Sequence, residues 1–583
     1  MTNKVEQFKE VNQHIGQHSF DIITPPKPNN SFRSKIKRYA QHKIISVPAG
    51  FLFIAVVLSI IPASRYFLPG LFMKKQAVFV LQEASTGGPV SDADVVIDGV
   101  SYKSNQDGRV LVDGIKPGYK KISITKPFYT DFSAQFHLGV FKNKEQKNFA
   151  VIAKGKIAKV IVKNRLSGRL LAGVQVKTDN GSTGLTNDSG VATLILASSA
   201  TEVSAIISSG KILSAKVTVR AVQDDSTNVL LATPTGRLYF LSRASGIIDV
   251  ISSNLDGSDR KTVLAGTGQE DRFDTILLAS RDWKYLALKA RRDSGQPKVY
   301  LIETSNGALT TVDEGNASFS FNGWSGDSFV YSLFRTGVEQ WQNKQSAIKS
   351  YNAATKKLVT LDETRGEGKS VLDYANESIG SVYITKNQVV YTKKWSASYY
   401  YGTRLADKKM VIAAVMTDGS SKKSLFEWQA GYNTYISSLA SGPDEIYFNV
   451  QLDGVVITYY EYTNGEVKLS EDVTAENFRN NKYFTYLVSP NGNNTLWSEP
   501  RDGKNSLFIG DAAAKNDKQI ASLSELVPYG WYTDDYILVS KNSSELYIMG
   551  RDGVVPGRVP LKVTDYHKSQ YDFRGYGYGY GGF

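Results

Sequence analysis

The hydrophobic pattern of this chain begins with one long run that contains no charged side chain. The run extends from Ile44 to Ser64, between Lys43 and Arg65. Its apolar positions include Ile44, Phe51, Ile54, Val57 and Ile61. A helix of this length rises about 1.5 Å per residue and spans about 30 Å, the thickness of a bilayer's hydrocarbon core. The pattern therefore predicts a transmembrane helix over residues 44–64.

Two other interpretations of this run are less favoured. A buried core helix would show a polar stripe, and the run has none. A cleaved signal peptide would follow a short basic leader, whereas 43 residues precede this run. We therefore expect an uncleaved anchor, with the lipid bilayer as a partner.

The charges that flank the run predict its orientation. Basic side chains are concentrated on its amino side, at Arg33, Lys35, Lys37, Arg38 and Lys43. By the positive-inside rule, the amino terminus then lies in the cytoplasm. Residues 1–43 would form a flexible cytoplasmic tail and residues 65–76 a membrane-proximal spacer. The rest of the chain would be extracytoplasmic, held at the cytoplasmic membrane.

Beyond the spacer the pattern changes to short alternating runs, and an internal repeat appears. In the first copy, Gly87–Val95 precedes the turn residues Asn105–Gly108. In the second copy, Ser167–Val176 precedes Asn187–Gly190. Alternating apolar positions next to an Asp-Gly or Ser-Gly turn are typical of strands joined by hairpins. The repeat predicts two small β-sandwiches, at residues 77–150 and 151–224.

The first copy resembles the carboxypeptidase regulatory-like and PEGA families. Gly88-Pro89-Val90, Asp107-Gly108 and Pro117-Gly118-Tyr119 match the family pattern, whereas the second copy lacks the Pro-Gly-Tyr element. The resemblance implies non-catalytic sandwiches that act as spacers or bind. Asp107 and Asp188 are of a residue type that binds calcium, but an Asp in a tight turn usually bonds its own backbone, so we expect turns there.

From residue 228 to residue 568 a second, longer repeat takes over. Short apolar strands begin about 40 to 60 residues apart, which is the period of four-stranded propeller blades. These strands are Leu238–Phe240, Leu286–Leu288, Phe329–Tyr331, Val389–Tyr391, Ile446–Phe448, Thr495–Trp497 and Tyr536–Leu538. The count predicts a β-propeller of about seven blades. Six or eight stay open because Lys394–Lys409 forms an insertion.

Several of these strands are preceded by similar blade-entry turns, which contain Asp282, Asp327, Asn491 and Asp534. Ser280–Leu288 and Ser489–Trp497 resemble the blade signature of the TolB-like propeller family, Ser-Pro-Asp-Gly-Lys-Tyr-Ile-Ala-Phe. The resemblance implies the fold and says little about a ligand, because propellers host many functions.

Composition refines this prediction. The chain has no cysteine, which excludes disulfides and Cys-type zinc sites. Its net charge is +13, and the first 43 residues carry eight basic and three acidic side chains, which leaves +8 for the remainder. Such an excess favours anionic partners. A basic helix and a basic–aromatic motif are missing, so we expect no nucleic-acid partner. Residues 569–583 form a low-complexity tail rich in Tyr and Gly.

Enzyme chemistry has little support in the sequence. Beyond residue 64 the only histidines are His137 and His567, in different predicted domains, which argues against a Ser-His-Asp triad or a His-rich metal site. Gly323–Asp327, with the sequence GWSGD, is one residue short of a nucleophile elbow. We expect no catalytic residues, no cofactor and no metal, although paired carboxylates that cleave a glycosidic bond stay an alternative.

These patterns together predict an all-β chain with one N-terminal transmembrane helix, two small β-sandwiches and a β-propeller. The expected role is binding or scaffolding in the bacterial cell envelope, with an envelope protein or a cell-wall glycan as partner. One alternative is a propeller-type glycosidase or lyase that acts on envelope polysaccharide. Another is an envelope sensor that signals through the short cytoplasmic tail.

Overall fold

The computed structural model describes most of the chain from residue 73 to residue 563, together with Phe53 and Val56. The gaps are 141–143, 222–227, 386–387, 399–403, 432–433, 443–444, 453–455, 471–486, 502–503, 522–525, 542–544 and 553–560. The described residues form 42 strands. They divide into two compact units, and Lys126 ends the first segment of unit 1.

The predicted membrane anchor falls almost wholly outside the described residues. This applies to Ile44, Phe51, Ile54, Val57 and Ile61, and to the topology charges Arg33, Lys35, Lys37, Arg38 and Lys43. In the described part of the chain no helix has the length and apolar character to cross a bilayer. The anchor and its orientation therefore stay predictions.

Unit 1 contains the first β-sandwich. One sheet has the order β4-β1-β7 and the other β3-β2-β5-β6. Along β1 the side chains of Ala77, Phe79 and Leu81 are buried in alternation with more exposed neighbours, as expected for a strand with one face on a core. The strands are β1 (Lys75–Glu83), β2 (Asp94–Ile97), β3 (Val100–Lys103), β4 (Arg109–Ile115), β5 (Gly118–Thr125), β6 (Phe132–Leu138) and β7 (Lys144–Val151).

Lys126 is the most unusual charged group of this sandwich. Its side chain is 7% exposed, and Nζ donates a hydrogen bond to the Ser91 carbonyl. Burial lowers the pKa of Lys126 to about 8, although the nearby charge of Asp92 acts in the opposite direction. Between that value and the ordinary lysine pKa of about 10.4, the unfolded chain holds a proton that the folded chain lacks.

The first testable prediction concerns this lysine. We expect the stability of unit 1 to rise by about 3 kcal/mol between pH 8 and pH 10.5, because the unfolded state binds more protons in that range. Since the chain has no cysteine, an Ala77→Cys variant would report the opening of unit 1 by thiol labelling across a urea series. Lys126→Met in the same background should remove most of this rise. An unchanged pH slope in Lys126→Met would contradict the assignment.

The second sandwich repeats the strand order of the first within unit 2. Its sheets run β11-β8-β14 and β10-β9-β12-β13, and β14 pairs in parallel with β8 as β7 does with β1. The strands are β8 (Lys156–Asn164), β9 (Gln175–Thr178), β10 (Thr183–Leu185), β11 (Val191–Leu196), β12 (Glu202–Ser209), β13 (Ile212–Arg220) and β14 (Val229–Ala232). The sandwich therefore extends to Ala232, beyond the expected boundary near residue 224.

The two Asn-containing turns of the sandwiches have the same geometry. Asn105 Oδ1 accepts hydrogen bonds from the backbone N–H groups of Asp107 and Arg109, and Asn187 Oδ1 does the same for Ser189 and Val191. Each turn then places a glycine at a φ near +68°. The amide side chain, and not the neighbouring Asp, organises each turn.

The remaining strands form seven consecutive antiparallel sheets, here called blades 1 to 7. Blade 1 contains β15 (Arg237–Ser242), β16 (Asp249–Asn254) and β17 (Lys261–Leu264). Blade 2 contains β18 (Ile276–Ala279), β19 (Tyr285–Ala290), β20 (Lys298–Glu303) and β21 (Leu309–Asp313). Blade 3 contains β22 (Ala317–Ser325), β23 (Ser328–Arg335), β24 (Ser346–Asn352) and β25 (Lys357–Glu363).

Blade 4 carries an extra first strand, and the last three blades have four strands each. Blade 4 contains β26 (Gly366–Ser370), β27 (Asp373–Ile384), β28 (Gln388–Ala397), β29 (Lys409–Met416) and β30 (Lys423–Gln429). Blade 5 contains β31 (Tyr435–Gly442), β32 (Glu445–Leu452), β33 (Val456–Thr463) and β34 (Glu466–Leu469). Blade 6 contains β35 (Leu487–Val488), β36 (Asn494–Arg501), β37 (Lys504–Asp511) and β38 (Lys518–Ala521), and blade 7 contains β39 (Leu526–Thr533), β40 (Tyr536–Lys541), β41 (Glu545–Gly550) and β42 (Leu561–Val563).

The apolar strands singled out in the sequence occupy equivalent places in all seven blades. They lie in β15, β19, β23, β28, β32, β36 and β40. In blades 2, 3, 5, 6 and 7 the apolar strand is the second strand of its blade. In blade 1 it is the first of the described strands, so the strand that comes first in the other blades has no counterpart among the described residues of blade 1. The predicted insertion, Lys394–Lys409, begins within β28 and ends at the first residue of β29.

Hydrophobic clusters join most of the successive blades, including the first and the last. Separate clusters join blades 2 and 3, blades 3 and 4, blades 4 and 5, and blades 6 and 7. A further cluster combines Phe240 of blade 1, Leu286 of blade 2 and Leu538 of blade 7. Because the first and last blades share a core, the described sheets have the arrangement of a β-propeller.

The second sandwich packs directly against blade 7. Leu166 belongs to the cluster that joins the first and last blades. Arg169 Nη1 lies 2.8 Å from Asp535 Oδ1, its Nη2 lies 3.2 Å from Asp552 Oδ2, and Asn164 Nδ2 donates to the Tyr536 hydroxyl. An apolar contact combined with directional polar contacts fixes the sandwich on one end of this blade.

Candidate binding site at the channel mouth

One end of the propeller carries the turns between the first and second strands of the blades, and we call it the entry face. Asp282 follows β18 of blade 2 and Asn491 follows β35 of blade 6. Ser280 Oγ donates to Asp282 Oδ1 and accepts the Tyr285 N–H, at 2.8 and 3.0 Å. Ser489 Oγ makes the same two bonds with Asn491 and Asn494, at 2.9 and 3.0 Å. The two turns therefore have one geometry.

The other two predicted entry residues lie in shorter turns of the same face. Asp327 lies between β22 and β23 of blade 3, and Asp534 lies between β39 and β40 of blade 7. Asp534 Oδ1 accepts a hydrogen bond from the Asn491 backbone N–H at 2.9 Å, so it links blade 7 to blade 6. All four predicted residues shape turns, and none of them lines the cavity described below.

Three buried tryptophans join the inner ends of the blades. Trp324 Nε1 of blade 3 donates to the Leu278 carbonyl of blade 2 at 3.2 Å. Trp531 Nε1 of blade 7 donates to the Leu487 carbonyl of blade 6 at 2.6 Å. Each of these indoles therefore bonds the preceding blade.

Trp283 makes the corresponding bond across blade 1. Its Nε1 donates to the Tyr532 carbonyl of blade 7 at 3.0 Å, and its ring lies 6.3 Å from Tyr239 and 5.4 Å from Tyr532, measured between ring centroids. Blade 2 thus reaches blade 7 directly, in the place where blade 1 has no described first strand. This contact completes the ring at the entry face.

These tryptophans surround a cavity on the axis of the propeller. Four blades line it, and blades 3 and 6 are not neighbours, so their residues face each other across the channel. The volume of this cavity is about 70 Å³. The lining residues are Leu278, Ala279, Ser280, Arg281, Trp283, Asn322, Gly323, Trp324, Leu487, Val488, Pro490, Gly530 and Trp531.

Two Gly-Trp pairs in the sequence mark the wall of this cavity. Gly323-Trp324 and Gly530-Trp531 each stand three residues ahead of an entry-turn aspartate, Asp327 or Asp534. Both glycines lie at irregularities in strand pairing, where a bulge turns the backbone toward the channel. The segment that resembled an incomplete nucleophile elbow is therefore part of this repeated wall element.

A cluster of buried charged side chains, which the sequence did not reveal, lies between blades 3 and 4. Lys393 Nζ is 2.8 Å from Glu377 Oε2 and 3.4 Å from Asp362 Oδ2, and all three side chains are at most 10% exposed. Tyr391 donates its hydroxyl to Asp362 Oδ2 at 2.7 Å, and Arg365 Nη2 lies 2.7 Å from Glu377 Oε1. We call Asp362, Glu377, Lys393, Tyr391 and Arg365 the buried charge network.

Ionisation in this network follows from its pairing. Burial alone would raise the pKa of Asp362, but contacts with Lys422 and Lys393 outweigh burial and hold that pKa below its usual value. For Glu377, burial is outweighed in the same way by Arg365 and Lys393, and its pKa is also lowered. Burial and the neighbouring Asp362 carboxylate raise the pKa of Tyr391. The network therefore holds two carboxylates in their charged form and acts as a structural link between blades.

Among the described residues there is no group of three or more His, Cys, Asp or Glu side chains placed to hold a metal ion.

Comparisons with known proteins show similarity at the level of fold. No family model and no curated protein matches this chain. The solved structures that resemble it include TolB from Acinetobacter baumannii, with 14% identity over 54% of this chain and 75% of that one, and a TM-score of 0.24. The β-propeller domain of the Trilobed protease from Pyrococcus furiosus shows 15% identity over 47% and 82%, with a TM-score of 0.27.

A further similar structure is an acylaminoacyl peptidase from Pyrococcus horikoshii. It shows 12% identity over 63% of this chain and 51% of that one, with a TM-score of 0.31. Because all three scores are low, the architecture is assigned from the blades, clusters and tryptophan contacts of this chain itself. The chain contains a β-propeller, and the solved structures that resemble it include TolB and other β-propeller proteins.

Proposed function

We propose that this chain is a membrane-anchored, extracytoplasmic binding or scaffolding protein of the bacterial cell envelope. The propeller is the interaction platform, and the ligand enters at the channel mouth on the entry face. The observation that carries this proposal is the cavity among Trp283, Trp324 and Trp531, which is concave, mainly apolar and built on rigid strands. An envelope protein or a cell-wall glycan is the proposed partner.

Two further features support a platform of this kind. The second sandwich is fixed to blade 7 by Leu166, Asn164 and Arg169, so the sandwich and propeller would move together as one body. The chain beyond residue 43 carries a net charge of +8, which favours encounter with the anionic polymers of an envelope. A rigid support and a positive field are both suited to presenting a binding site.

Photo-cross-linking in intact cells tests the proposed site. A photoreactive residue would replace Asn322, which lines the cavity, or Arg291, which lies at the other end of β19 from the entry face. We expect envelope material, either protein or glycan, to cross-link from position 322 and not from position 291. Equal labelling from both positions, or labelling from neither, would contradict the site.

The proposed compartment has its own test. Protease added to intact cells with a permeable outer layer should remove the propeller and leave the first 43 residues protected. If the tail were digested while the propeller survived, the orientation and the proposed role would both be wrong.

A further inference from the structure

Blade 4 departs from the blade pattern in two ways, and both departures meet at one place. Strand β26 is its extra first strand, which has no counterpart in the other described sheets. Together with the predicted insertion before β29, this strand encloses a cavity of about 430 Å³ at the end of the propeller opposite the entry face. The charged residues that line it are Glu367, Lys369, Asp373, Arg404, Asp407 and Lys408.

The carboxylates of this cavity are paired with its own cations. Lys408 Nζ lies 2.7 Å from Glu367 Oε1 and 3.7 Å from Asp407 Oδ2. Arg404 Nη1 lies 2.7 Å from Asp373 Oδ1. The lining has three acidic and three basic side chains, so its formal charges cancel. An ionic ligand would add a net charge to this neutral set, whereas an uncharged ligand would leave the pairs intact.

Ion pairs suit a ligand whose groups both donate and accept hydrogen bonds. A carboxylate only accepts, and a lysine or arginine side chain only donates. A sugar hydroxyl does both, so neighbouring hydroxyls can bond both members of a pair. Lys408 is also held by the buried Trp395 ring, whose centroid lies 4.9 Å from Nζ. Since this donor is already fixed, it loses little freedom when a ligand binds.

The rim of the cavity offers an apolar contact. Val371 and Leu372 form the tip of the hairpin between β26 and β27, and they are 63% and 60% exposed. The tip lies between the lining residues Lys369 and Asp373, so it stands beside the cavity. A sugar ring has polar edges and an apolar C–H face, which match a polar cavity with an apolar rim.

The volume of the cavity sets the size of the ligand. An engineered cavity of about 150 Å³ holds one benzene molecule. In proportion, about 430 Å³ has room for roughly three groups of that size. This is enough for one hexose unit together with part of the next sugar of a chain.

We propose that this cavity binds one hexose unit of an uncharged glycan. The hydroxyl groups bond the two closer ion pairs, and the apolar face of the ring lies against Val371 and Leu372. The cavity is a second binding site, at the opposite end of the propeller from the channel mouth. This inference therefore goes beyond the proposed function and does not depend on it.

Matched neutral and acidic sugars test the ligand class. The full-length chain, in a detergent without a sugar head group, would be titrated with the methyl glycosides of glucose, galactose and mannose and with methyl glucuronide and methyl galacturonide. Saturation-transfer NMR reports binding. We expect at least one neutral glycoside to bind with a Kd of about 1 mM, the strength of a few hydrogen bonds exchanged with water, and more tightly than the acids. No binding of a neutral glycoside, or binding of the acids that is as tight, would overturn the proposal.

Glu367→Gln tests the site. It removes one carboxylate and gives the cavity a net positive charge, so we expect the neutral glycoside to bind about tenfold more weakly and the acids to become preferred. Glu466→Gln, which breaks an exposed pair with Lys468 in blade 5, is the matched control and should bind as the parent does. A urea midpoint checks that each variant is folded. Parent-like binding by Glu367→Gln with an unchanged midpoint would show that the assignment is wrong.

Asp407→Asn gives a second test at a residue that contributes little to packing. Its side chain is 78% exposed, so this variant should fold as the parent does. We expect the same change of preference toward the acids, because the cavity again gains a net positive charge. If Asp407→Asn kept the preference for the neutral glycoside, the sugar would bind elsewhere and the inference would fail, while the role proposed for the channel mouth would be unaffected.

Discussion

Trp283→Ala is expected to destabilise the propeller by about 3–5 kcal/mol, the usual cost of removing a buried tryptophan. The indole is 8% exposed, packs between Tyr239 and Tyr532, and donates to the Tyr532 carbonyl of blade 7. It bridges the place where blade 1 lacks a described first strand, so its loss also weakens the contact between the ends of the ring. Urea unfolding followed by fluorescence would measure the change, because all seven tryptophans lie in the propeller.

Two further variants separate packing from hydrogen bonding at this position. Trp283→Phe keeps an aromatic ring and leaves the Tyr532 carbonyl without its donor, so we expect a loss of about 1–3 kcal/mol. Trp341→Phe, in the loop between β23 and β24, is the matched control and should change stability by about 0.5 kcal/mol or less. If Trp283→Ala cost no more than this control, the closure of the ring would not depend on the indole.

Lys393→Met is expected to cost about 3–5 kcal/mol, because it leaves Asp362 and Glu377 buried with one cation fewer. The neighbouring change Lys394→Met is the matched control. Lys394 is only partly buried and lies over the Tyr435 ring, so we expect a loss of about 1 kcal/mol or less. Urea unfolding at neutral pH would compare the two variants.

The pH dependence of these proteins gives an independent check of the network. Asp362 and Glu377 have lowered pKa values when folded, so they contribute stability at neutral pH that is lost as the pH falls through about 4 and below. Lys393→Met should reduce this loss of stability at low pH, since the remaining carboxylates no longer have the full pairing that lowers their pKa. If the stability of Lys393→Met fell as steeply with falling pH as that of the parent protein, Lys393 would not set these pKa values.

Several parts of the fold could be predicted because their signals are local. Apolar triplets such as Leu286–Leu288 identified one strand in every blade, because a buried strand needs consecutive apolar residues. The turns at Ser280–Asp282 and Ser489–Asn491 were recognisable as a pair, and the structure gives them the same hydrogen bonds. The two Asn turns of the sandwiches are equally local.

Other parts were missed because their partners are far away in the sequence. β14 was assigned to the propeller region, but its four residues pair in parallel with β8, more than 60 residues earlier. Trp283 and its acceptor in Tyr532 are separated by 249 residues. Asp362, Glu377 and Lys393 resemble ordinary polar surface residues until two blades enclose them.

The sequence by itself determined the all-β character, the repeated turns of the sandwiches and the period of the blades, because strand periodicity and turn chemistry are written within a few neighbouring residues. The tertiary structure decided which residues meet at the channel mouth, how the ring closes from blade 2 to blade 7, and which charges become buried. Those outcomes depend on contacts between distant segments, and a cavity or a shared core exists only once several blades have packed around one axis.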